Sequence, residues 1–429
     1  MEQVNQYLAN LYQLSPYMRE FLALGLILLT AGVVFGIGMT IGGLITYLER
    51  RVAARVQSRI GPNRVGPLGL LQWMADGIKL IMKEDVIPAN ADKILFTIAP
   101  YLVVTGVFAS LVTLPFSESL IAADLNMGLV FLLAITSLVT VGILMSGWAS
   151  NNKWSLLGGI RSAAQIVSYE VPLTLAVGSI IMLSGTLSLQ GIIRAQGGWP
   201  WEWYIFYNPA NFMLFFVYFT AALAEGNRTP FDLPEAESEL VAGYNTEYSG
   251  MRFAAFFLGE FANVYLMSAI ATVLFFGGWQ IPGIAADAQK SSFLLQSLGL
   301  IIFIAKATLG VLLVIMLRWT LPRLRVDQLM TLCYRYLIPM AFAGLFFNAL
   351  YMLLIPETSS VHQAIRIITT AGCSLFAILF IRRVRTHIHQ VGDKIDMDLL
   401  ARGEKLQTHP ELYARRYGSH KKVKPTEAP

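Results

Sequence analysis

The sequence predicts an all-α protein: a polytopic bundle of about nine transmembrane helices, with its N-terminus outside and its C-terminus in the cytoplasm. Three observations predict it. Of the 429 residues, 55% are hydrophobic and only 14% charged, against roughly 25% charged in soluble domains, and the mean hydropathy is +0.57. The apolar residues gather into nine runs, most of them near the roughly 20 residues that a helix needs to cross a hydrocarbon core. Lys and Arg are shared unevenly between the two sets of loops, 27 against 4, with Lys306 left at membrane depth, and the cationic loops are the cytoplasmic ones. Strands of a membrane barrel, about ten residues each, are too short to account for these runs.

The first run, 20–48, follows a segment whose single cation is Arg19 and which has no small-residue cleavage site. It reads as an anchor and not as a removable signal peptide. Within it, "GVVFGIGMTIGG" matches a dinucleotide fingerprint in letters only, because that motif needs a strand before it. Gly32 with Gly36, and Gly38 with Gly42, are spaced instead as small-residue packing faces. The cationic stretch "LERRVAARVQSRIGPNRVGP" then anchors the chain at the cytoplasmic surface.

Residues 68–83 are apolar yet too short to span. Gln72, Asp76, Lys79 and Lys83 form one stripe, and Leu71, Met74, Ile78 and Met82 the other. This predicts an amphipathic helix lying in the membrane plane between spans 1 and 2. The remaining spans are expected at 94–116, 127–148, 160–187, 211–225, 251–279, 293–318, 334–355 and 365–382. The chain therefore divides into a membrane domain, 1–382, and a basic cytoplasmic tail, 383–429. Residues after Ile381 carry 11 cations and 6 acids, which is the whole net charge of +5. There is no internal repeat and no matched pair of broken helices of the kind that many secondary transporters show.

Cofactor chemistry is constrained by what the spans lack. Cys333 and Cys373 form no CxxC pair, and all five histidines begin at His362. An iron-sulfur cluster needs about four thiolates and a haem needs axial ligands at depth, and a zinc site needs a comparable set. No metal or flavin is expected on this chain, so any redox electrons would come from partner chains.

Between the fifth and sixth spans lies "GNRTPFDLPEAESELVAGYNTEYSG". From Glu225 to Glu247 the chain holds six carboxylates and one cation, Arg228. Asp232, three residues before Glu235, has the spacing of a helix cap, and Glu235 and Glu239 share a face if a helix follows Pro234. Glu237 and Glu247 exceed what capping needs. Glu170, Glu225, Glu260 and Lys306 fall at or near membrane depth, where an ionisable side chain costs roughly 2.5 to 3.5 kcal/mol. They could lock helices together as ion pairs. Four of them on four helices point further, to a connected polar path leading inward from the acidic loop, with a water-filled cavity tolerating the irregular backbone.

The acidic segment, together with "ERRVAARVQSRIGPNRVGPLGLLQ", "SGWASNNKWSLLGGIRSAAQIVSYEVP" and "RWTLPRLRVDQLM", resembles the family of the H (or mitochondrial 1) membrane subunit of proton-pumping NADH:quinone oxidoreductase, respiratory complex I. The resemblance runs from the first span through the eighth. It implies a subunit of a bacterial inner (plasma) membrane enzyme that forms the quinone chamber and the start of the proton path. Ubiquinone or menaquinone would be the substrate. The implied partners are hydrophilic-arm iron-sulfur and quinone-site subunits, small membrane subunits and antiporter-like subunits, with the lipid bilayer around them and no nucleic acid.

Carried onto this sequence, Gln57, Arg59, Trp73, Asp76, Arg228, Phe231 and Asp232 would belong to the quinone chamber or its entrance. Glu170, Glu225, Glu235, Glu237, Glu239, Glu260 and Lys306 would belong to the charged relay. Phe261 follows Glu260 where relatives commonly have Tyr, which implies one hydroxyl fewer beside that carboxylate. Two other readings remain: the membrane subunit of an energy-converting hydrogenase, and a stand-alone ion transporter.

Overall fold

The computed structural model describes residues 16–234, 237–284, 286–355 and 360–391, and among these it is all helix and loop, without a strand. The long helices are α1 (Pro16–Val56), α3 (Lys93–Leu111), α4 (Gly128–Ala149), α5 (Lys153–Ser184), α7 (Pro209–Glu225), α9 (Gly250–Phe275), α11 (Phe293–Thr320), α13 (Ile338–Leu354) and α14 (Ser360–Val391). Short helices lie between them: α2 (Gln72–Met82), α6 (Leu189–Ala195), α8 (Glu237–Leu240), α10 (Ala286–Ser291) and α12 (Val326–Thr331). Eight of the described helical stretches are long and apolar enough to cross a membrane. The expected fifth span is α7, which at 17 residues is shorter than those eight. The chain divides into two units, Met1–Thr369 and Thr370–Pro429. Of the second, the remainder of α14 is described, and the tail from 392 onward lies outside the described residues.

Helix starts follow side chains that satisfy the first free amides. Asp92 accepts from the amides of Ile94 and Leu95, Asn152 from that of Trp154, and Asn208 from that of Asn211. Asn208 continues into a buried amide network: its Nδ2 donates to Asn348 Oδ1 at 2.6 Å, and Asn348 Nδ2 donates to Asn211 Oδ1 and Ser179 Oγ at 2.5 Å each. Helices α5, α7 and α13 are joined by it.

The first helix runs to Val56, so "LERRVAAR" continues the span as helix where the sequence reading ended it at Leu48. Of its two small-residue faces, one packs against other described residues. A Cβ on Gly38 would stand 3.0 Å from the Phe108 ring and one on Gly42 2.7 Å from the Leu258 side chain, whereas Gly32 and Gly36 meet nothing within 4 Å. The eighth expected span is longer than its apolar run: α12 passes through a π-helical turn, Leu332–Leu337, into α13.

The amphipathic segment is a separate helix, α2, laid against α1 and α9. Trp73 packs flat on Gly43, where any Cβ would enter the indole ring. Arg50 of α1 pairs with Asp76, which Gln72 and Lys79 also reach. Just before it, Tyr47 donates its hydroxyl to Leu68 O at 3.0 Å. Beyond it, the strap 83–86 is tied to the start of α9. Ser249 Oγ accepts from the Val86 amide at 3.0 Å and donates to Glu84 O at 3.2 Å, and Arg252 pairs with Asp85 at 3.4 Å. Next to Ser249, Tyr248 stacks on Phe96 with centroids 4.0 Å apart. Burial pushes the Tyr248 phenol above its ordinary value, against the pull of Arg252, so it stays neutral.

Candidate functional site

The acidic loop is folded into the helix bundle, and its single cation is the most enclosed charge there. Arg228 is 3% exposed. One side of its guanidinium stands 3.7 Å from Glu49 Oε2 on α1, and the other 3.3 Å from Glu260 Oε1 on α9. Its plane lies over the Phe261 ring, 4.2 Å from the centroid, a favourable cation–π arrangement. Arg318, in the last turn of α11, donates to Glu49 at 2.5 Å. Arg323, just beyond that helix, lies 3.4 Å from Asp232. Three guanidinium groups and three carboxylates thus gather from α1, α9, the loop, and the end of α11 with its following turn. Each carboxylate has a cationic neighbour, as buried charges require.

The loop backbone is fixed around this cluster. The Arg228 amide donates to Leu223 O at 3.2 Å, the Phe231 amide to Arg228 O at 2.8 Å, and the Leu324 amide to Pro230 O at 3.0 Å. The Thr229–Pro230 peptide is cis. Phe231 is buried with its ring against Tyr169, centroids 5.6 Å apart. Asp232 therefore faces Arg323, while the four-residue helix α8 begins only at Glu237. Glu235 and the side chain of Glu237 lie outside the described residues. Glu239 is on the surface, paired with Arg161 at 2.8 Å.

A second acidic site sits at the end of α7. Glu225, the last residue of α7, is buried, and Glu170 lies half-buried in α5. The other sequence-predicted residues are more dispersed. Gln57 and Arg59 lie beyond the end of α1, exposed, with Arg59 Nε donating to Gln57 Oε1 at 2.6 Å. Trp73 and Asp76 face α1 from α2, as described. Lys306 joins neither acidic site: its Nζ donates to Phe276 O at 2.7 Å and Gly278 O at 3.0 Å, over the Trp203 ring. Sixteen residues of α9 and its cap separate Phe276 from Glu260, about 24 Å of helix rise.

A profile of the family described as NADH dehydrogenase matches residues 28–349. The chain belongs to that family. It is also 50% identical over 375 residues to the H subunit of the NADH-quinone oxidoreductase of Anaeromyxobacter dehalogenans (strain 2CP-C), covering 85% of this chain and 91% of that relative. The matched region of this NADH dehydrogenase family member holds all the residues of both acidic sites.

Three members of the larger site were not singled out in the sequence for this role: Glu49, Arg318 and Arg323. The signal was present in two places, since Glu49 opens the arginine stretch and both arginines belong to "RWTLPRLRVDQLM", but nothing in their spacing tells that the two stretches meet. Alongside α1 runs an apolar cavity of about 790 Å³. Val33, Ile37, Ile41 and Leu44 form its α1 wall, and Ile304 and Val311 of α11 face them. It extends from Thr30 to Leu48 of α1, roughly 27 Å of rise. Among the described residues, no group of three or more His, Cys, Asp or Glu could hold a metal ion.

Proposed function

We propose that this chain is the membrane subunit that couples quinone reduction to proton translocation in a bacterial NADH:quinone oxidoreductase. The family membership and the name of the relative from Anaeromyxobacter support the enzyme class. The observation that carries the coupling role is the confinement of the acidic loop: Arg228 is held between carboxylates of two different spans. A change of charge beside such a network alters the proton occupancy of its members. The loop then passes the change to Glu225, buried at the end of α7, and to Glu170, half-buried in the middle of α5. Glu235, Glu237 and Glu239 act in the same loop as proton acceptors.

The apolar cavity along α1 suits a long isoprenoid tail, which needs hydrophobic walls, and Trp73, Asp76, Gln57, Arg59, Phe231 and Asp232 supply polar and aromatic groups toward its headgroup end. The quinone is ubiquinone or menaquinone. Partner subunits of the hydrophilic arm bring flavin and iron-sulfur centres against the arginine stretch, and small and antiporter-like membrane subunits continue the proton path. The chain sits in the bacterial plasma membrane with N-terminus out and C-terminus in.

Purification through a tag on this chain tests the class: flavin and iron-sulfur subunits co-purify if the reading holds, a nickel subunit if the enzyme is a hydrogenase, and nothing if it is a lone transporter. Glu225→Gln in the intact complex tests the coupling role. Quinone reductase turnover and proton pumping fall while the subunits still assemble. Wild-type turnover and pumping remove Glu225 from the mechanism.

A further inference from the structure

The apolar cavity along α1 has two different ends. At the α2 end it is bounded by Tyr47 and Leu70, beside residues assigned to the quinone headgroup. At the far end it reaches residues 120–122 of the loop that follows α3, with Thr30 and Val33 of α1 on one flank and Leu300 and Ile304 of α11 on the other. Its length of roughly 27 Å nearly equals a hydrocarbon core of about 30 Å, so it passes through both leaflets. Next to the far end α1 stands clear of the bundle: Leu28 is 64% and Leu29 65% exposed.

The far mouth has a polar rim tied together from three segments. Ser117 Oγ donates to Gln296 O at 3.0 Å, Ser119 Oγ donates to Gln296 Oε1 at 2.5 Å, and Gln296 Nε2 donates to Lys290 O at 2.8 Å. Gln296 is one helical turn from Leu300 on the same face of α11, so this knot adjoins the cavity wall. Ser119 and Lys290 are exposed. Lys290, in the last turn of α10, joins no ion pair among the described residues. The acids of the loop are engaged elsewhere: Glu118 is buried against Arg194 and Gln190, and Asp124 accepts from Ser188 Oγ, at the start of α6, at 3.3 Å. The rim thus offers an ammonium and a hydroxyl at the edge of an apolar slot.

We propose that the far half of the cavity binds one membrane glycerophospholipid, with an acyl chain between α1 and α11 and its phosphate on Lys290 and Ser119. An isoprenoid end is pure hydrocarbon and has no use for a cationic rim. A phosphate at the membrane surface is drawn to a lysine and accepts hydrogen bonds from an ammonium and a hydroxyl. The lysine stem lies along apolar surface while its head stays in the polar layer. An acyl chain spans one leaflet, about 15 Å, which is the depth that remains when a quinone tail keeps the half beside α2. Bound there, the lipid closes the gap beside α1 and keeps a quinone that enters next to α2 out of the opposite leaflet. The proposal rests on the tail assignment under Proposed function for the α2 half alone.

The test uses the intact complex, with phosphatidylglycerol vesicles as the source of lipid. A density map that resolves bound lipid is expected to show a phosphate within reach of Lys290 Nζ and Ser119 Oγ, and one chain running past Thr30 and Val33. Native mass spectrometry, counted per copy of this chain, is expected to find one phospholipid fewer in Leu300→Trp, whose indole fills the mouth. Lys290→Ala is expected to retain the lipid about fivefold more weakly, the factor that one lysine contributes beside anionic lipid, and Lys290→Arg to keep it. An isoprenoid chain along the whole cavity, a partner's helix lying in the slot, detergent alone, or an unchanged lipid count in both Leu300→Trp and Lys290→Ala overturns the site. If Leu300→Trp does not assemble, the wild-type map and Lys290→Ala decide. A quinone tail filling both halves removes the lipid and leaves the enzyme class standing; a tagged chain that brings down no flavin or iron-sulfur subunit removes the class and leaves the lipid.

Discussion

Arg228→Met removes the guanidinium on which the charged cluster turns. For the pair at 3.3 Å with Glu260, Coulomb's law at an effective dielectric constant of about 20 gives roughly 5 kcal/mol of attraction. Desolvation offsets part of this, and deleting one partner of a buried pair costs about 3 to 5 kcal/mol in practice. Glu49 keeps Arg318 at 2.5 Å, so the loss falls mainly on Glu260. Leaving the Phe261 face adds up to about 2 kcal/mol. Large membrane assemblies inactivate irreversibly, so the proper measure is a half-life: quinone reductase activity of purified complex, followed at fixed temperature. Arg228→Met shortens that half-life strongly. Arg228→Met with Glu260→Gln recovers part of it, because the stranded carboxylate is gone. Arg228→Lys falls between, since an ammonium cannot reach both carboxylates with a planar fork. Strict additivity of the single changes, to within about 0.5 kcal/mol, refutes the coupling of Arg228 to Glu260.

Gly43→Ala drives a methyl into the Trp73 ring and is expected to lift α2 off α1 at about 1 to 3 kcal/mol. Its readout is a raised KM for quinone, with Gly25→Ala, which meets nothing within 4 Å, as the unaffected control. Gly158→Ala meets Gly243 backbone at 2.8 Å, where no side chain can yield, so the acidic loop is displaced and becomes cleavable in limited proteolysis. Asn348→Leu strands Asn208, Asn211 and Ser179 together, at about 1 to 3 kcal/mol for each group left unpaired, and shortens the thermal half-life of the complex without changing KM for quinone.

The spans were legible because their apolar runs are long and the bilayer sets a length. Their ends were less so. Composition marks where a chain leaves hydrocarbon, not where its hydrogen-bonded ladder stops, so Arg50 to Val56 read as loop although α1 carries them. The amphipathic stripes of α2 were legible from spacing alone, and Trp73 and Asp76 face α1 from it. Asp232 had the spacing of a helix cap toward Glu235, which lies outside the described residues, and the Arg323 charge 91 residues away also engages its carboxylate. Arg228, Glu260 and Phe261 could each be named from the acidic motif and the depth of the sixth span. That they stack together was not legible, because it depends on how α1, α9 and α11 cross. Lys306 read as one more charge at depth, and the structure adds that its ammonium donates to two carbonyls at the end of α9. A lone cation among apolar residues looks the same in sequence whether it serves a relay or closes a helix end.

The ties around Ser249 give the molecule a mechanical property. One hydroxyl and one ion pair splice the chain at 84–86 to the chain at 249–252, where the loop of carboxylates ends and a span begins. Whatever tilts the flat helix at the bundle's rim must drag that splice with it. A molecule sliding in beneath Trp73 thus gains leverage on the far end of the loop without touching any of its acids.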